Sequence, residues 1–222
     1  MRATTFLLFI VGLLITLFAC RHKPVTQTTH LKKEWADTIF IQPFYPVTDV
    51  FAQIASRELH DFYGSPIVIL PTIKIYEKAH SATGRYSAPI LLNCLSDLPR
   101  AKGYKILGLA SFDIFTESRG VKEWGIFGLG NCPGNACVVS DFRLKQFKGK
   151  TEAFTINVII HEIGHNFGLP HCDKDEKCLM NDAKGTIATL YKEQKWLCPY
   201  CTNKLAVIRA ETIREKLTAW LD

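Results

Sequence analysis

Eleven residues, His161-Glu162-Ile163-Gly164-His165-Asn166-Phe167-Gly168-Leu169-Pro170-His171, constrain this chain more than any other feature. Histidines four apart on a helix share a face one turn apart, so His161 and His165 can bind one ion together. That pairing needs a helix. The apolar run Phe154-Thr155-Ile156-Asn157-Val158-Ile159-Ile160 just before it predicts one crossing the core over residues 151–167. Glu162 is rotated about 100° from His161 around that helix. Its carboxylate therefore stands beside the ion, within reach of a water there, without being a ligand. Gly168 can take the left-handed conformation that ends a helix, and Pro170 prevents the helix from resuming. The reversed chain then brings His171 back as a third ligand. Three protein ligands leave the fourth position of a zinc ion open for water, which marks a catalytic rather than a structural site. A bare His-Glu-x-x-His is short and also occurs in helices whose histidines face solvent or sit satisfied in a core. Adding the glycine and the third histidine makes the pattern far more specific.

Four cysteines follow closely. Cys172 is next to His171, Cys178 precedes Leu179-Met180, and Cys198-Pro199-Tyr200-Cys201 comes after an interval of 17 residues. Two thiolate pairs, one of them Cys-x-x-Cys, suit a closed tetrahedral structural zinc site. Such a site contributes on the order of 10 kcal/mol to folding a loop-rich region. Disulfides are the competing chemistry in an exported chain. Zinc is favoured, because a Cys-x-x-Cys disulfide is usually a redox element and nothing thioredoxin-like surrounds this one.

The interleaving of these histidines and cysteines with Met180 resembles the archaemetzincins, a family of metzincin-clan metallopeptidases. Five residues separate Cys172 from Cys178 where the family pattern has four, a difference a polar loop absorbs. The resemblance implies hydrolysis of peptide bonds in a peptide or protein substrate by a zinc-activated water, with Glu162 as general base. It implies two zinc ions per chain, a catalytic one on His161, His165 and His171 and a structural one on Cys172, Cys178, Cys198 and Cys201. Met180, the one methionine besides Met1, would form the methionine turn. The fold implied is α/β: a single metzincin-like domain with a mixed twisted sheet, an antiparallel edge strand, the active-site helix and a C-terminal helix. By the same resemblance, Ala136-Cys137-Val138-Val139-Ser140 forms the upper rim of the cleft and pairs with extended substrate, a common way to hold a peptide.

The pattern along the chain agrees with that class. Strands are expected at 38–41, 66–70, 105–114, 124–129 and 136–142, and helices at 47–62 and 88–98. A last amphipathic helix, 205–220, would turn Leu205, Ile208, Ile213, Leu217 and Trp220 inward. Helices alternating with strands early, then a strand pair before the histidine helix, imply a mixed sheet. At 222 residues the chain suits one domain with a sizeable core.

The N-terminus has a different character. Arg2 precedes an apolar run from Phe6 to Phe18, then Ala19-Cys20. That is the layout of an export signal, and Leu17-Phe18-Ala19-Cys20 resembles a bacterial lipobox. The expected organisation is a signal peptide at 1–19, a tether at 20–36 lipidated on Cys20, and the metallopeptidase domain at 37–222. This places the mature protein in the bacterial cell envelope, anchored to a membrane by lipid and facing the periplasm or the exterior. A simple secretory signal and an uncleaved anchor helix are the alternatives. Cys132 and Cys137 flank Pro133-Gly134-Asn135, which leaves open a small disulfide loop or unpaired thiols. The formal charge of +6 is scattered without an aromatic-interleaved basic face, so no nucleic-acid partner is expected. Two other functions fit the motifs: a non-catalytic zinc-stabilised binding protein of the envelope, and another zinc amide hydrolase. Glu162 speaks against the first, since a purely structural metal has no use for a base beside it.

Overall fold

The computed structural model describes residues 38–98, 104–183 and 187–218. Its centre is a five-stranded sheet built from β1 (Ile39–Pro43), β2 (Ile67–Ile69), β4 (Lys105–Ala110), β7 (Gly128–Gly130) and β8 (Ala136–Ser140). The order is β2-β1-β4-β8-β7; the first four strands are parallel and β7 runs antiparallel to β8. Parallel central strands are covered on both faces, which is why β1, β4 and β8 read as nearly unbroken apolar runs. Alternate side chains divide between two cores. Ile39, Ile41, Leu107, Leu109, Cys137 and Val139 belong to a core with helices α1 (Asp49–Tyr63) and α3 (Thr151–Phe167). Phe40, Ile106, Ala110, Ala136 and Val138 belong to a second core with α2 (Ala88–Ser96). The result is a sheet sandwiched between helices.

Local signals explain where the helices begin and end. The Thr48 hydroxyl accepts from the Phe51 amide at the start of α1, and Gly64 ends it at φ 66°. Helix α3 spans the expected residues and ends at Gly168, φ 101°. There the Leu169 amide donates to the Gly164 carbonyl and the Gly168 amide to that of His165, the bond pair of a Schellman motif. Two helices follow toward the C-terminus, the short α4 (Ala188–Lys192) and the long α5 (Pro199–Thr218).

Several expectations need correction. The strand expected over 105–114 stops at Ala110, and the chain re-enters a second sheet as β5 (Ile114–Ser118). This sheet has the order β3-β5-β6, with β3 (Tyr86–Ser87) and β6 (Val121–Ile126), and the β5–β6 hairpin turns through Arg119 (φ 51°) and Gly120 (φ 77°). Two consecutive positive φ angles are what a tight two-residue hairpin requires. The strand expected over 124–129 is therefore two strands in two sheets. The substrate-pairing edge does not belong to Ala136–Ser140 either. That strand is paired on both sides and wholly buried, and among the described residues the edge strand at this end of the sheet is β7. The C-terminal helix begins at Pro199 rather than at 205, because proline suits the first helical turn. Leu205 and Ile208 do pack on the core. The side chains of Ile213 and Leu217, along with Trp220, lie outside the described residues, as do the signal peptide, Cys20 and the tether. Cys132 and Cys137 are free thiols: Cys132 donates to the Leu169 carbonyl, and Cys137 is buried in the core. Among the described residues no helix is long and apolar enough to cross a membrane.

Candidate metal centre

Helix α3 carries His161, Glu162 and His165 beneath a cleft of about 760 Å³, and the Gly168 turn returns His171 beside them. The ring centroids lie 4.6 Å apart for His161 and His165, 5.4 Å for His161 and His171, and 4.8 Å for His165 and His171. One ring nitrogen from each falls within 4.8 Å of the other two. Backbone carbonyls fix the orientation of two rings. His161 Nδ1 lies 2.7 Å from the Leu179 carbonyl oxygen, and His165 Nδ1 lies 2.7 Å from that of Leu169. A carbonyl only accepts, so each Nδ1 carries the hydrogen and each Nε2 keeps its lone pair for a metal. Burial, with the neighbouring His165 ring next in importance, pushes His161 down to about 3, and burial lowers His165 as well. Both rings therefore stay neutral, the ligand form. His171 is half-exposed, with the Asp182 carboxylate 4.0 Å from its Nδ1. This donor set fits zinc.

Two elements hold the centre from below. A Cβ on Gly164 would lie 2.6 Å from Met180 Sδ, so the bare glycine face is what lets Met180 lie buried against the helix. The Tyr63 hydroxyl donates to the Ile160 carbonyl at 2.7 Å, tying α3 to α1.

Glu162 is 8% exposed and burial alone pushes its carboxyl up to about 8. It lies against β7. Cβ atoms built on Gly128 and Gly130 would come within 2.8 and 2.9 Å of its carboxylate oxygens. Glycines two apart on a strand leave one face bare. That spacing in Gly128-Leu129-Gly130 was the available sequence signal for a carboxylate lying across the strand. Arg143 and Glu193 also line the cleft and were not singled out from the sequence.

The four cysteines also converge. Cys172, Cys178, Cys198 and Cys201 are buried, with all four sulfurs within 4.8 Å of one another. Cys172 and Cys198 Sγ are 3.7 Å apart. Amides of Lys174 and Cys198 point at the sulfurs of Cys172 and Cys178, each at 3.4 Å. Burial works to raise the Cys198 thiol, but hydrogen bonds from the Cys201 amide and from the other three cysteines outweigh it and hold that thiol below its usual range. Sulfurs that are free, clustered and hydrogen-bonded fit a tetrahedral thiolate site. The Cys172 amide donates to the Met180 carbonyl at 2.7 Å, joining this knot to the methionine and through it to the histidines.

Residues 68–207 match the sequence profile of Peptidase family M54. The chain belongs to that family. It is accordingly a zinc-dependent metallopeptidase, a hydrolase acting on peptide or protein substrates. The archaemetzincin of Methanopyrus kandleri is 31% identical over 153 residues, covering 67% of this chain and 82% of that protein. The archaemetzincin of Halobacterium salinarum is 28% identical over 170 residues, covering 70% of this chain and 94% of its own. Among solved M54-like folds, the crystal structure of the Methanopyrus kandleri archaemetzincin superposes with a TM-score of 0.64 at 25% identity, over 79% of this chain and 97% of that one. The Archaeoglobus fulgidus archaemetzincin, crystallised with malonate, gives 0.63 at 24% identity over 75% and 99%.

Proposed function

We propose that this M54 peptidase works through His161, His165 and His171 as the ligands of its catalytic zinc and Glu162 as its general base. A zinc held there supplies a Lewis acid that polarises a scissile carbonyl and acidifies water. Glu162 takes the proton from the attacking water and hands it to the nitrogen of the leaving amine. A carboxyl raised by burial is a stronger base than a solvated one, which suits it to hold a proton between those two transfers near neutral pH. Leu179 and Leu169 carbonyls keep the two helical imidazoles in the tautomer that faces the metal. The edge strand β7 offers backbone groups for an extended peptide.

The observation that carries this reading is the convergence of three histidines, with the buried Glu162 lining the same cleft as His161 and His171. Glu162→Gln tests it. The variant should retain zinc and fold yet lose peptide hydrolysis by at least ~10²-fold, the usual scale for removing a positioned base. Hydrolysis at the parental rate would rule the role out.

We further infer that the four-cysteine knot holds a second, structural zinc, giving two per chain. For the N-terminus we infer a signal peptide at 1–19 and lipidation of Cys20, with the domain from 37 onward tethered to the membrane in the bacterial envelope. The support is sequence pattern alone. Cys20→Ser should move the mature protein from the membrane fraction to the soluble one, because acyl chains supply the affinity. A parent protein already wholly soluble would end that inference.

A further inference from the structure

The cleft extends past the histidines along α3. Val158 lines it one turn before Glu162, and Ile187 and Leu190 form apolar walls there. The Tyr191 ring packs on Phe154 with centroids 5.1 Å apart. Phe154 precedes His161 by about 10 Å of helix at ~1.5 Å per residue, so the segment around Leu190 and Tyr191 lies to one side of the histidines.

Glu193 lines this branch and is half-buried. Its amide donates to the Thr189 carbonyl, but its carboxylate has no hydrogen bond or ion pair among the described residues. Several other charges of this region have partners. Lys192 pairs with Glu176 and Lys195 with Glu58. Lys150 sits over the Tyr191 ring at 4.4 Å. Within the cleft, Arg143 is held by both Asp113 oxygens, and Glu123 faces Arg85 at 3.6 Å. Among the described residues, Glu193 is thus an acid facing an apolar-walled space with nothing of opposite charge paired to it.

We propose that Glu193 determines specificity, selecting peptides that carry a lysine or arginine side chain on the side of the scissile bond occupying this branch. The proposal rests on the scissile bond lying at His161, His165 and Glu162. The apolar walls suit the methylene stem of a long cationic side chain, whose head then meets the carboxylate. Burial pushes Glu193 up to about 7. An arriving cation would reverse that, favouring the ionised form and gaining an interaction poorly screened by water. A neutral side chain of the same length leaves the acid desolvated and unpaired.

The test uses one peptide scaffold in which lysine, norleucine or glutamate is placed in turn at each position flanking the cleaved bond. Binding is measured by calorimetry on zinc-loaded Glu162→Gln protein, and kcat/KM on the zinc-loaded parent. At one position the lysine peptide should bind at least ~10-fold tighter than its norleucine counterpart, with a matching kcat/KM ratio. Adding Glu193→Gln should erase the preference, and Glu193→Lys should shift it to the glutamate peptide. Equal binding of the lysine and norleucine peptides at every position overturns the proposal. So does a lysine preference that survives in Glu193→Gln. If the parent hydrolyses none of the peptides, the catalytic assignment fails, while the binding comparison still decides the role of Glu193.

Discussion

Gly164→Ala should loosen the metal centre without touching a ligand. The added Cβ would lie 2.6 Å from Met180 Sδ, 3.2 Å from Met180 Cε and 3.2 Å from the Tyr63 hydroxyl oxygen. At 2.6 Å something must move, and the two neighbours differ in freedom. Tyr63 is pinned by its bond to the Ile160 carbonyl, so Met180 gives way. Overpacking of this kind costs about 2 kcal/mol, offset by about 1 kcal/mol from replacing a mid-helix glycine. A net loss near 1 kcal/mol lowers Tm by about 3 °C in a chain of this size. The larger effect is on metal binding. Leu179, whose carbonyl holds His161 Nδ1, is the residue before Met180, so displacing the methionine misorients that histidine. Losing such a supporting bond weakens metal affinity by about 10- to 100-fold. Thermal melting in chelator and zinc titration against a competing indicator read the two effects separately. In a Met180→Ala background, the alanine at 164 should cost much less, because the space it needs has been opened. A Gly164→Ala protein that melts higher than the parent and binds zinc equally well would refute the reasoning.

Two further outcomes follow from the cysteine knot and from Glu193. Cys198→Ser should lower zinc from two to one per chain and lower Tm, while the histidines keep their ion; elemental analysis checks the count, and an unchanged count refutes the thiolate site. Glu193→Gln should stabilise the protein at pH 8 relative to pH 4.5. The folded carboxyl titrates at about 7 against an ordinary 4.5, so the folded state holds its proton more tightly. That contribution is complete below 4.5 and is lost as pH rises through 7, by about 1 to 2 kcal/mol once partial exposure is allowed for. Urea titrations of parent and variant at both pH values measure the difference, and equal gains would contradict it.

The histidine helix was legible because its evidence is local: ligand spacing, the apolar run before it, and Gly168 with Pro170 to end it all lie within about 20 residues. The second sheet was not, because remote side chains make the break in 105–114. Ser140 Oγ donates to the Phe112 carbonyl at 2.6 Å, Ser111 Oγ to Asp141 at 2.6 Å, and Arg85 and Arg143 both hold Asp113. Nothing in the pattern of residues 105–114 reports those partners. The misplaced edge has a similar origin. Residues 124–129 are continuous in hydropathy, yet the Phe127 carbonyl accepts from the Ser140 amide just where the chain passes from one sheet to the other. Ala136–Ser140 lacks the polar alternation of an exposed edge, a sign that it lies inside. Glu193 escaped notice because a lone carboxylate in a polar stretch is ordinary until its neighbours are known.

The central claim is that three histidines hold a catalytic zinc beside a base. Anomalous scattering from crystals of the zinc-loaded protein, collected on both sides of the zinc absorption edge, tests it most directly. Two peaks are expected. One should lie about 2.0–2.1 Å from a ring nitrogen of each of His161, His165 and His171, with the Glu162 carboxylate beside it but outside bonding distance. The other should lie about 2.3 Å from the sulfurs of Cys172, Cys178, Cys198 and Cys201. No peak among the three histidines, or Glu162 bound to the metal in place of His171, would contradict it.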